Sequence, residues 1–189
     1  MRILLQLLLV GVLAPVAPGF AAAQRQESVL LFESRKVAVA VPPGFTLVRQ
    51  QDETGLTSLN LADAPGMVSV NLVFVPDPEG LTLQARARRE RLFELFGGYV
   101  EDSVEKAMRF EELEPRSGAG TYCVFTDASL VGRTNLPAGE YRHLTAGLKV
   151  WRGVMVVFRL FSNETSSAEY QAVLKLLRSS VEERAVPLK

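Results

Sequence analysis

The sequence predicts an α+β fold: a mostly antiparallel β-sheet with helices packed on both faces. Three observations predict it. The run Gly153–Phe161 is apolar on both sides of a strand, with Val154, Val156, Phe158 and Leu160 pointing one way and Met155, Val157 and Phe161 the other. Such a strand needs cover on both faces and belongs near the middle of its sheet. Arg159 is the exception, expected near a strand end where its stem packs and its head reaches water. The second observation is the helix that follows the break Ser162-Asn163-Glu164-Thr165. From Ser166 to Glu183 the apolar residues Tyr170, Val173, Leu174, Leu177 and Val181 keep to one helical face. Ser166 is its expected N-cap, with Glu169 three residues on as a capping box requires. The third is the order of elements, strands, helix, strands, helix, with hairpin-length turns and few connections suited to parallel crossovers.

Taken in order, Ser28–Phe32 is a short leading strand and Lys36–Val41 a clearer one, ended by Pro42-Pro43-Gly44-Phe45, which cannot continue a central ladder. Thr46–Gln50 is extended. Asp52-Glu53-Thr54-Gly55 and Asp63-Ala64-Pro65-Gly66 have the composition of tight turns. Between and after them lie the strands Leu56–Ala62 and Met67–Val75, making an antiparallel meander. Pro76-Asp77-Pro78-Glu79-Gly80 breaks the pattern. A helix is expected from Thr82 to Phe96, with Ala85, Leu92, Leu95 and Phe96 buried and a glycine C-cap at Gly97-Gly98. Two strands follow, Val104–Glu111 and Thr121–Ala128. The loop Thr134–Gly139 leads into Arg142–Val150, where Leu144, Ala146, Leu148 and Val150 face inward and His143, Thr145 and Lys149 outward. Trp151-Arg152-Gly153 turns that strand into the central one.

The chain opens Met1-Arg2, continues with an apolar run from Ile3 to Val16, and reaches Ala21-Ala22-Ala23. One positive charge, a short apolar core and small residues at the end make a secretory signal peptide, cleaved before Gln24. Pro15, Pro18 and the short core argue against a membrane anchor, since a spanning helix needs about 20 apolar residues. No cysteine opens the mature chain, so a lipid anchor is not expected. Residues 1–23 are thus read as the signal and 24–189 as one domain, delivered to the periplasm or secreted. Lys and Arg number 21 and Asp and Glu 21, so no net field favours nucleic acid. Cys123 is the single cysteine and cannot form an internal disulfide.

The strand ending in Val41-Pro42-Pro43-Gly44-Phe45, the meander, the mid-chain helix, and the late hairpin into a helix ending Leu176-Leu177-Arg178-Ser179-Ser180 together resemble the PsbP-like α/β/α sandwich proteins, including their bacterial exported members. The likeness covers most of the mature chain and is a pattern of elements rather than a motif. It implies a non-enzymatic binding or assembly factor, carries over no site residue, and does not imply a photosystem role.

The residues that could carry chemistry are few. His143 is the single histidine, so a Ser-His-Asp arrangement would have to use it with Asp127 and Ser129, and no G-x-S-x-G elbow accompanies it. A solvated surface histidine is the expected reading. Cys123, inside a strand, is expected to behave as a small buried hydrophobe. One His and one Cys make no zinc set, and Asp77 and Glu79 around Pro78 lack the spacing of a calcium loop. Arg86, Arg88, Arg89 and Arg91 form the densest basic run. It is expected as a solvated helix face with Arg86–Glu90 and Arg91–Glu94 pairs, or else as an anion or lipid-headgroup contact. Asn163-Glu164-Thr165 is a formal glycosylation sequon.

These readings assign no catalytic residue, no cofactor and no metal. They point to an exported binding or accessory protein whose partner is a protein or envelope component, met by the loop Val131–Tyr141 and the basic face of the middle helix. The alternative is a small-ligand carrier or hydrolase with a pocket between sheet and helix holding His143 or Cys123.

Overall fold

A computed structural model describes residues 25–31, 35–137, 139–151, 153–179 and 181–183. The expected signal segment, 1–23, lies outside the described residues, as do Phe32 of the expected leading strand and Arg152 of the hairpin before the central strand. Two antiparallel sheets carry the fold. The larger has seven strands in the order β3(Phe45–Gln51), β4(Thr57–Asp63), β5(Val68–Asp77), β9(Gly153–Ser162), β8(His143–Trp151), β7(Ala119–Thr126), β6(Glu111–Glu112). The smaller has β1(Arg25–Leu30), β2(Lys36–Val41) and β10(Val181–Glu183), with β2 in the middle. The helices are α1(Ala85–Phe96) and α2(Ala168–Ser179).

The strand that is apolar on both faces, β9, is the fourth of seven, flanked by β5 and β8. Its even-numbered residues Val154, Val156, Phe158 and Leu160 belong to one core cluster with Leu59, Leu61, Val70 and Phe74 of the meander and Tyr170, Val173, Leu174, Leu176 and Leu177 of α2. That cluster also takes Val29, Val37, Val39 and Val41, so α2 sits between the large sheet and the small one. This explains why Leu176 is buried as well as the expected stripe: the helix has an apolar neighbour on two sides. The odd-numbered Met155 and Val157 join a second cluster with Leu92 and Phe96 of α1 and Cys123, Phe125, Leu144, Ala146, Leu148 and Val150. One helix therefore serves each face, and α1 covers the β7–β8–β9 side. The same face of β3 and β4 carries Thr46, Val48, Gln50, Ser58 and Asn60, half-buried or exposed, with Asn71, Asn60 and Gln50 joined in a hydrogen-bonded amide ladder.

The centre is tightly packed at one glycine. A Cβ on Gly147 would fall inside the edge of the Phe158 ring and 2.7 Å from Tyr122 Cβ. Phe158 is fully buried and has nowhere to move. Gly147→Ala is therefore expected to lower the urea midpoint with an unchanged slope, at a cost of about 1–3 kcal/mol, typical of overpacking.

The structure corrects several boundaries. The strand expected at Val104–Glu111 reduces to β6, Glu111–Glu112. Upstream of it the chain is irregular, because Val104 N–H bonds Thr126 O and the Glu105 carboxylate takes Thr126 N–H and hydroxyl, tying the segment to the end of β7. Met108 and Phe110 pack against the second cluster instead of alternating along a ladder. The middle helix begins at Ala85, after a separate 3₁₀ turn at Leu81–Leu83, and Ala85 itself is exposed. Gly97 ends it with φ −59°, so the expected left-handed cap is not used, and a second 3₁₀ turn continues to Tyr99. The last helix stops at Ser179 rather than Glu183, and the chain then pairs with β2 as β10. Its last carbonyls are satisfied from outside: Leu177 O accepts from Lys149 Nζ and Arg178 O from Arg116 N–H. At its start Ser167, not Ser166, caps Tyr170 N–H, while Ser166 bonds Glu164. Lys36–Val41 forms the middle strand of the small sheet.

Candidate functional site

The residues singled out by sequence do not come together. His143 opens β8 on the face shared with α2 and is half-buried. Its Nδ1 lies 3.1 Å from Thr126 Oγ1, and that hydroxyl gives its one proton to Glu105 Oε1 at 2.7 Å. The His143 bond must therefore be Nδ1–H donating to Thr126. Burial, then the Arg142 charge, depress the imidazole's affinity for a proton, against the pull of Glu105. The Glu105 carboxyl, which burial alone would raise, is held below its ordinary range by the backbone N–H and hydroxyl of Thr126. Ser162, paired with His143 across β9, is fully buried and its hydroxyl has no hydrogen-bond partner, so the imidazole does not hold it.

Asp127 and Ser129 serve each other instead. Asp127 Oδ1 accepts from Ser129 N–H at 2.8 Å and opens a 3₁₀ turn, Ala128–Leu130. Its carboxyl is held below the usual range chiefly by the Ser129 hydroxyl and N–H. Cys123 is fully buried in the α1-side cluster, its thiol 3.6 Å from Ala146 O, and burial pushes its pKa up to about 12. Burial in apolar surroundings disfavours the thiolate, the form a nucleophile needs. Asp77 spends its carboxylate on Thr82 in a turn, and Glu79 is exposed. Among the described residues no group of three His, Cys, Asp or Glu could hold a metal ion.

The basic run divides. Arg86 pairs with Glu90 at 2.8 Å and Arg91 with Glu94 at 2.7 Å, both exposed, as the spacing predicts. Arg88 departs from the expected solvated face. It lies on the buried stripe with Leu92 and Phe96 and is only 4 % exposed. Its Nε donates to Thr121 Oγ1 (2.9 Å), Nη1 to the carbonyls of Leu83 and Thr82, and Nη2 to Glu112 Oε2 (3.1 Å). One guanidinium thus joins the turn before α1 to β6 and β7. Arg89 reaches Glu112 Oε1 at 3.3 Å and lies over the Phe110 ring. Arg159, half-buried three residues before the end of β9, has its guanidinium 5.3 Å from the Phe96 ring centroid of α1.

The outward residues of β8 are also corrected. Thr145 and Lys149 are fully buried under α2. Thr145 Oγ1 meets Tyr170 Oη at 2.8 Å, and Lys149 Nζ donates to Leu177 O at 2.6 Å while lying over the Trp151 ring.

An enclosed surface feature lies elsewhere, at the end of the sheet where the β7–β8 loop folds back. A cavity of about 160 Å³ is lined by Tyr99, Asp102, Ser103, Phe125, Asp127, Tyr141, Arg142, Leu144 and Phe161. Its walls are mainly apolar and fall into two aromatic pairs. Tyr99 and Phe125 lie 5.8 Å apart between centroids, Tyr141 and Phe161 5.6 Å, each tilted by 37°. Phe125 and Leu144 are buried floor, whereas Tyr99 is 46 % exposed and forms the rim. The loop is held by Arg142: its N–H donates to Asn163 Oδ1, its carbonyl accepts from Asp127 N–H, and its Nη2 donates to Arg133 O at 2.6 Å. Arg142 Nε is buried without a hydrogen-bond partner. Asn163, the sequon residue, also donates to Glu140 O, so its amide anchors this loop. Two further clefts share Arg142 with the cavity, one against Val131–Thr134 and one between the loop and the Pro65–Met67 turn.

Sequence reasoning reached the loop Val131–Tyr141 but missed the cavity, whose rings come from four separate segments with no common spacing. A comparison with protein-family models, curated proteins and solved structures finds no match, and none ties the chain to the PsbP-like proteins.

Proposed function

We propose that this chain is a non-catalytic binding or accessory protein of the bacterial cell envelope, exported by its N-terminal segment into the periplasm or beyond, and that it recognises its partner at the end of the sheet around the β7–β8 loop. The observation that carries this reading is the aromatic-walled cavity beneath that loop. A pocket of this size admits one apolar side chain or small ligand head, and the clefts beside it extend the surface available to a protein or envelope component. The residues a hydrolase would need support it less: His143 is on the opposite face of the sheet from the cavity, and Cys123 is sealed in the core. Of the alternative, the carrier half keeps support from the same cavity. The PsbP-like sandwich is the finer fold we propose, resting on a helix against each face of the large sheet.

The test places a photo-crosslinking residue at Val131, at Tyr99 and, as a control, at Val48 on the far edge strand, all exposed positions. Irradiation in an envelope extract is expected to give the same discrete adduct from Val131 and Tyr99 and none from Val48. Equal labelling at all three sites, or no adduct at the loop, contradicts the proposal.

A further inference from the structure

We infer that the cavity at the β7–β8 loop takes the head of an organic ammonium, a quaternary or multiply methylated amine. The inference rests on the binding reading above and names the ligand chemistry of that site.

Four aromatic rings line one small cavity in two pairs, Tyr99 with Phe125 and Tyr141 with Phe161, and Phe125 and Phe161 flank Leu144 on one face of the sheet. An aromatic ring is negative over its face, and a cation held among several such faces is attracted to each. A methylated ammonium suits walls of this kind because it carries charge without N–H groups that need acceptors; a primary ammonium or guanidinium would leave donors unpaired among apolar walls. The volume, about 160 Å³, is that of a pocket known to hold one benzene-sized ligand, enough for a trimethylammonium group and not for a large planar one. Charge points the same way. The lining holds two carboxylates, Asp102 and Asp127, against one guanidinium, Arg142. Arg142 bonds through Nη2 to Arg133, a residue that is not part of the cavity wall. The Arg142 Nε, buried without a partner, is the group an anion would seek, and the benzoate arm of the test addresses it.

The experiment titrates the full chain, at constant ionic strength, with choline, with its neutral isostere 3,3-dimethylbutan-1-ol and with benzoate, following backbone amide shifts of residues 99–103 and 141–144. Choline is expected to move these signals and to bind about tenfold more tightly than the isostere. Tyr99→Leu and Asp102→Asn, both at exposed positions, are expected to weaken choline about threefold or more and to leave the isostere unchanged. Equal binding of choline and the isostere overturns the ammonium assignment while leaving the cavity a binding site. Tighter binding of benzoate overturns it in favour of Arg142. If a folded chain shows no shift with any probe, both the assignment and the cavity's role in recognition fall. Choline binding untouched by either variant places the ligand elsewhere and also overturns the inference.

Discussion

Leu177→Asp is expected to leave the chain without a cooperative thermal transition. Leu177 is 1 % exposed and lies in the cluster that joins α2 to the central strand and to the small sheet. The substitution removes a buried side chain, which contributes about 1.5–3 kcal/mol. It also leaves a cavity and places a carboxylate inside an apolar cluster, adding several kcal/mol more. A domain of this size is stable by roughly 5–15 kcal/mol, so the sum removes most of the margin. Gln171→Asp, on the exposed side of the same helix, is expected to shift the melting temperature little. Circular dichroism melts of the two variants check the pair. A sigmoidal melt for Leu177→Asp near that of the parent chain would mean that α2 is not docked as described.

Lys149 makes stability depend on pH in a window where few groups titrate. Its ammonium is fully buried, and burial lowers its pKa from 10.5 to about 7, although the Leu177 carbonyl and the Trp151 ring both favour the charged form. Between pH 7 and 10 the unfolded chain therefore holds a proton that the folded chain has released. Stability rises with pH across that window and is lost as pH falls toward 7; below it both states are protonated and the dependence ends. The slope approaches about 1.4 kcal/mol per pH unit at its steepest. Lys149→Met keeps most of the stem and removes the titration. The difference in unfolding free energy between parent and Lys149→Met, from urea denaturation at pH 6, 7, 8 and 9, is expected to be flat to pH 7 and then to move in favour of the parent. A difference constant over the whole range would show that the lysine titrates in the folded state as it does in the unfolded.

Much of the architecture could be read from local pattern. The two-faced run at Met155/Val156 does lie at the middle of the sheet, and Tyr170, Val173, Leu174 and Leu177 do face the core, because burial on a strand or helix leaves a period in the sequence. The turns at Asp52–Gly55 and Asp63–Gly66 were legible because Asp and Gly have local reasons to be there: Asp52 Oδ1 takes the N–H groups of Thr54 and Leu56, and Gly55 and Gly66 have φ of 82° and 71°. What could not be read depended on partners far along the chain. Arg88 is polar by type but buried through Thr121 and Glu112, 33 and 24 residues away. Lys149 and Thr145 have the alternation of a solvated face, yet that face is roofed by a helix that follows them in sequence. Val181 continues the helical period, but the β2 ladder takes it. The cavity is the extreme case, since nothing about Tyr99 or Tyr141 alone distinguishes it from any exposed tyrosine.

Amide hydrogen exchange tests the central architectural claim most directly. If β9 is the middle rung of a sheet covered on both faces, the amides of residues 155–160 exchange only through global unfolding and are the slowest in the molecule, with β5 and β8 next and the edge strand β3 fastest. Amides of residues 155–160 that exchange as fast as those of 46–50 would contradict it.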